Sequence, residues 1–147
     1  MVWGAVYGLA ALSTALISRT GPKRNVQFFA LLLLSFWLLS NVLGRVLYWV
    51  DSVQVSAVMD AIGMSLAVNA SFRRFRWWKL VLAGCFAAQL LTHIALMFLP
   101  ESQGVRYQYR LLLNLLFLGE LVSVASPTIE FHLRHFRTRT RQTRAAA

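Results

Sequence analysis

Residues 41–70 read NVLGRVLYWVDSVQVSAVMDAIGMSLAVNA, and this stretch decides the fold. It parses as the end of one apolar segment and the whole of another, joined by a turn at Asp51-Ser52 that can also cap the second helix. Arg45 sits in the first segment and Asp60 in the second, each well inside apolar sequence. In the second segment Ser56, Asp60, Gly63, Ala67 and Ala70 are spaced so that one helical face is small and polar. Such a face is a poor partner for lipid, so the spacing predicts a membrane helix at the centre of a bundle, wrapped by the others.

Working outward, the apolar runs recur at membrane-spanning length, roughly 17–25 residues. The spans predicted are about 2–18, 26–50, 53–71, 80–99 and 111–133. The first, Val2 to Ser18, has no basic residue before it and Arg19, Lys23 and Arg24 after it. A cleaved signal peptide carries its charge in the opposite order. Gly4 and Gly8, and again Ala11 and Ala15, are small residues four apart, a spacing that lets membrane helices approach closely. Gly21-Pro22 breaks the chain before the second run, and Tyr48 and Trp49 mark that run's outer interface. Pro100 ends the fourth run, and residues 101–110 are read as an outer loop with Tyr107 and Tyr109 in the outer aromatic belt. Pro127 in the fifth run removes the hydrogen bond back to Ser123, so a kink is expected there.

Composition agrees. Of 147 residues 58% are hydrophobic and only 14% charged, against about a quarter in soluble domains. The net charge of +10 would suit a nucleic-acid partner, but its placement argues for a bilayer. Twelve of the 15 Lys and Arg residues fall in three clusters that follow or separate apolar runs. That is how cytoplasmic loops orient a membrane protein. The clusters share one side when five spans are drawn with the N-terminus out and the C-terminus in. Four spans, with the first run lying in the interface, is the competing arrangement. The expected fold is therefore an all-α polytopic transmembrane bundle, residues 1–133, followed by a basic cytoplasmic tail, 134–147.

The membrane-surface basic residues expected are Arg73, Arg74, Arg76 and Lys79 after the third span, interleaved with Phe72, Phe75, Trp77 and Trp78. Arg134, Arg137, Arg139, Arg141 and Arg144 follow the fifth. Guanidinium groups at that level meet anionic lipid head groups. The tail has no apolar residue between Phe136 and the closing alanines, and is expected to be disordered or to lie on the lipid surface. Glu130 precedes Arg134 by four residues and can pair with it on one helix face.

The interior polar groups are the candidate site. Counted from the outer end of each span, Arg45 lies roughly 8 Å deep, Asp60 roughly 10, His93 roughly 9 and Glu120 roughly 14. Asn41, Gln89 and Asn114 accompany them, with Thr92 beside His93. A charged side chain at the bilayer centre costs roughly 3 kcal/mol on insertion scales, so these groups should turn inward and pair. Arg45 with Asp60 and His93 with Glu120 are the pairs that short connections favour. Two readings follow: a polar site opening outward for protons, a small ion or a polar head group, or buried polar contacts that fix helix pairing.

Other chemistries lack residues. There is no phosphate-binding glycine loop, no cysteine cluster and no metal-ligand spacing, so neither cofactor nor metal is expected. Cys85 is the only cysteine, which excludes an intrachain disulfide. His132 and His135 are read as interfacial. No catalytic motif is present, which places a lipid-modifying enzyme last. The function expected is a non-enzymatic subunit or accessory protein of a membrane complex, in the inner (plasma) membrane of a bacterium or a phage-infected one. Its partners would be the bilayer with its anionic head groups and a second copy or other membrane proteins, with no nucleic acid. The alternative is a permeation protein, either a small carrier or a pore-former. In small size, N-out and C-in arrangement, odd span number and the tail Arg134-His135-Phe136-Arg137-Thr138-Arg139-Thr140-Arg141, the chain bears a general resemblance to phage holins, which usually have fewer than five spans.

Overall fold

The computed structural model describes residues 2–20, 24–46, 52–99 and 102–145; within them, the side chains at 2–5, 41, 43–46, 52 and 139–145 fall outside the description. Five helices account for almost all of it: α1 Val2–Arg19, α2 Arg24–Val46, α3 Ser52–Arg73, α4 Trp77–Phe98 and α5 Gln103–Ala145. The protein is all-helical, and three helices are long and apolar enough to cross a membrane: α3, α4 and the part of α5 before the tail. Shorter apolar helical stretches lie in α1 (Val6–Arg19) and α2 (Arg24–Ser40). The expected features at Gly21-Pro22, Tyr48, Trp49, Asp51 and Pro100 lie outside the described residues.

The helices close into a ring in chain order. Each packs on the next, α5 returns to α1, and α5 also touches α2. The helices with most neighbours are therefore α2 and α5, which each touch three others, and not α3 as the polar stripe suggested, since α3 packs only on α2 and α4. The stripe does turn inward: Asp60, Gly63 and Ala67 are buried, with Ser56 and Ala70 half-buried. Its use is local, because it lets α4 come close. A Cβ on Gly63 would lie 2.6 Å from the Phe86 ring of α4. The Gly8 position works the same way, since a Cβ there would sit 2.4 Å from Trp37 of α2. Edge-to-face ring pairs cross the bundle, Phe36 with Phe86 at 6.3 Å and Phe29 with Trp78 at 5.8 Å between centroids.

The outside is apolar and the inside partly polar, the reverse of a soluble bundle. Leu9, Leu16, Val58, Ile62, Leu91, Leu115 and Val122 are exposed, whereas Asp60, Gln89, His93, Glu120, Ser123 and Thr128 are buried. This arrangement needs an apolar medium around the helices.

Three expectations are corrected. Residues 103–110 are helix and not loop, because Ser102 accepts from the Val105 amide (3.2 Å) and starts α5 at Gln103. Arg106 and Arg110 thus sit on helix. The tail is not disordered: α5 continues to Ala145, with no glycine after Gly119 and no proline after Pro127 to stop it. Lys79 is not exposed like its arginine neighbours but buried against the protein. It is 2% exposed, and its ammonium donates to the Ala70 and Arg74 carbonyls at 2.6 and 3.1 Å. The last carbonyls of a helix lack intrahelical donors and sit at the negative end of its dipole, so the cation is drawn in to cap α3. Arg73, Arg74, Arg76, Arg134 and Arg137 are exposed as expected, and the side chains of Arg139, Arg141 and Arg144 lie outside the described residues.

Pro127 lies inside α5. The Ser123 carbonyl loses its helical donor there, and the Ser126 hydroxyl supplies one at 2.9 Å. At the basic end of the bundle, Thr20 and His132 Nε2 are 3.0 Å apart, which ties α1 to α5. Glu130 and Arg134 form the expected pair, both exposed.

Candidate intramembrane site

Asp60 on α3, Gln89 and His93 on α4, and Glu120 on α5 converge in the half of the bundle away from the basic clusters. They are 7%, 7%, 2% and 1% exposed, respectively. His93 Nε2 lies 3.0 Å from Asp60 Oδ2, off the direction of a good hydrogen bond, so that oxygen has no aligned donor among the described residues. The amide of Gln89, in the orientation that satisfies its neighbours, donates to Asp60 Oδ1 at 2.9 Å and to Glu120 Oε1 at 3.3 Å. One side-chain amide therefore bridges two carboxylates. On the other side of His93, Nδ1 and the Tyr109 hydroxyl are 2.7 Å apart. The result is a chain of polar contacts from half-buried Tyr109 to fully buried Glu120.

Asp60, Gln89, His93 and Glu120 border a cavity of about 310 Å³ to which all five helices contribute. Tyr7 comes from α1, Trp37 and Ser40 from α2, Ser56 and Asp60 from α3, Phe86, Gln89 and His93 from α4, and Asn114, Phe117 and Glu120 from α5. No Lys or Arg side chain among the described residues lines it. Two carboxylates and one imidazole thus share a desolvated space, and the imidazole can offset only one of the two negative charges.

Of the polar residues expected to cluster, His93, Asp60, Gln89 and Glu120 are linked in series and Asn114 lines the same cavity. The side chains of Asn41 and Arg45 lie outside the described residues, and with them the Arg45–Asp60 pair. His93 is partnered by Asp60, not by Glu120. The reason is register. Gly119 packs against Cys85, its ideal Cβ being 3.1 Å from the sulfur. That sets Glu120 about two helical turns, ~12 Å, below the level of His93. Gln89, lying between, spans the gap.

Tyr109 was read as part of an interfacial belt, and its contact with His93 was missed. The signal was available, since His93 and Tyr109 stand at similar distances either side of the α4–α5 connection and are level in an antiparallel pair. The aromatic wall of Tyr7, Trp37, Phe86 and Phe117 had no sequence signal beyond general apolarity. Among the described residues no group of three His, Cys, Asp or Glu is arranged to hold a metal ion. No known protein family, no curated protein and no solved structure matches this chain.

Proposed function

We propose that the chain is a small, non-enzymatic permeation protein that takes up a proton or a small cation at its interior carboxylates. It has five spans with the N-terminus outside and the C-terminus inside, and resides in a bacterial inner membrane. The observation that carries this reading is the Asp60–Gln89–Glu120 bridge inside a cavity walled by five helices. Paired carboxylates with no second positive neighbour among the described residues are costly in a low-dielectric interior unless a proton or cation joins them. Polar groups needed only for helix pairing would be satisfied by direct contacts and leave no cavity. The Tyr109–His93–Asp60 series gives the site a polar connection toward the outer end.

The test is flux in liposomes containing the purified protein and a trapped pH dye, with an imposed potential. The expected result is protein-dependent acidification that is lost in Asp60→Asn and Glu120→Gln and slowed in Tyr109→Phe. Flux that persists in both carboxylate variants would refute the reading.

A second reading, an accessory subunit of a membrane complex, is favoured by α5. It runs about 20 Å past the His132 level with exposed arginines, where a partner domain or anionic lipid could bind. Recovery of a stoichiometric partner on mild purification, together with absent flux, would favour this reading over the first.

A further inference from the structure

We infer that the cavity accepts a weakly hydrated organic cation, of the quaternary ammonium or alkylamine class, held between its carboxylates and its aromatic wall. The inference rests on the proposed uptake of a cation at this site and names the kind of cation.

Three observations converge. The first is size. At about 310 Å³ the cavity lies at the small end of small-molecule sites, which run from about 300 to 1,000 Å³. A bare sodium or potassium ion would leave most of it empty, and the described residues hold no metal-ligand cluster. The second is the wall. Tyr7, Trp37, Phe86 and Phe117 border the same space as the carboxylates. Aromatic faces attract cations that shed water easily and recognise quaternary ammonium groups in particular. The third is the orphaned carboxylate oxygen. Asp60 is more than nine-tenths buried and Oδ2 has no aligned donor among the described residues. His93 Nε2 lies 3.0 Å away but is misaligned, so this buried oxygen keeps acceptor capacity for a further donor. An alkylammonium N–H can fill it, and the polarised methyls of a quaternary ammonium can rest on it.

The site has a division of labour. Asp60 and Glu120 supply the charge that selects cations over neutral molecules of the same shape. The rings set which cations fit and remove the advantage of small, strongly hydrated ions. Gln89 fixes the spacing of the two carboxylates and cannot itself neutralise either.

The experiment is calorimetric titration of the purified protein in lipid nanodiscs with benzyltrimethylammonium. Saturable binding at one site per chain is expected, unaffected by excess sodium or potassium, with no binding of benzoate. Glu120→Gln keeps the shape and a donor-acceptor group beside Gln89, and should weaken binding by about thirtyfold or more. Trp37→Leu should weaken it about tenfold, and Trp37→Phe much less. Binding unchanged in both Asp60→Asn and Glu120→Gln overturns the inference, because the ligand is then elsewhere. Absent binding in a protein that still gives carboxylate-dependent proton flux in liposomes also overturns it, while leaving the proposed function standing. Absence of both binding and flux removes the two together. Circular dichroism and size-exclusion profiles matching the parent protein identify variants that have kept the fold.

Discussion

Adding one methyl group to Gly63 should be among the most damaging small changes available to this protein. An ideal Cβ at that position falls 2.6 Å from Cε1 and Cζ of Phe86 and 2.9 Å from Cε2. Ordinary carbon–carbon contact is about 3.5–4.0 Å, so either the ring or the α3 backbone must move by roughly 1 Å. The ring cannot yield cheaply. Phe86 is 1% exposed, stacks edge-on against Phe36 and forms part of the cavity wall. Overpacking of this kind costs about 1–3 kcal/mol, and here it also separates Asp60, about one turn from Gly63, from His93, about two turns from Phe86 on the same pair of helices. The assay is equilibrium unfolding in mixed micelles, comparing Gly63→Ala with Gly84→Ala. Gly84 has nothing within 4 Å of its ideal Cβ, so alanine there should be neutral or stabilising. Combining Gly63→Ala with Phe86→Leu should recover part of the loss, since the two residues touch and their effects should not add. Equal stability of Gly63→Ala and Gly84→Ala would refute the close α3–α4 approach on which the site depends.

The same logic at the α1–α2 contact makes Gly8→Ala destabilising by about 1–3 kcal/mol through Trp37, measured in the same unfolding assay. Lys79→Met keeps the stem but leaves the Arg74 carbonyl without its ammonium donor and the Ala70 carbonyl with only the long Arg74 amide bond (3.4 Å), and should cost about 1–3 kcal/mol, with faster amide exchange at the end of α3. Ser126→Ala removes the hydroxyl that replaces the missing Pro127 amide, with an expected loss of about 1 kcal/mol, whereas Ser126→Thr should hold most of it. An unfolding midpoint unchanged in Ser126→Ala would mean that the Ser123 carbonyl finds another donor.

Much of the architecture was legible because lipid leaves few choices. Apolar runs of spanning length, separated by charge or by proline, gave five helices in nearly the observed places. The inward turn of Ser56, Asp60, Gly63, Ala67 and Ala70 followed from period alone. Depth, counted from the outer end of each span, put Asp60, His93 and Glu120 in one layer, and Gln89 was placed with them as an accompanying polar residue. Pairing was less legible. Which of two level residues meets which depends on helix register, and register is set by small-residue contacts such as Gly119 on Cys85 that have no signature in one sequence. The burial of Lys79 was not legible, because basic residues interleaved with aromatics give no sign that the α3 carbonyls draw one of them inward. The tail was read from its polarity as disordered or lying on the lipid surface; the first alternative fails because Arg and Thr without Gly or Pro do not interrupt a helix already running. The cavity was illegible, because it is a gap between side chains of five helices and no one segment encodes it.

Helix α5 begins above the polar site, carries Asn114 and Glu120 through it and ends in the arginine-bearing extension, all as one rod of about 64 Å. The rod is a lever with the cavity near one end. From Glu120 to Ala145 is about 37 Å, so a tilt of roughly 5° at the site sweeps the far end through about 3 Å. No loop intervenes to absorb such a movement. The one compliant joint is at Pro127, where a hydroxyl stands in for a backbone amide. Occupancy of a space inside the bilayer would thereby be transmitted as displacement of a cationic arm on the opposite side, with a tunable stiffness written into Ser126 and Pro127.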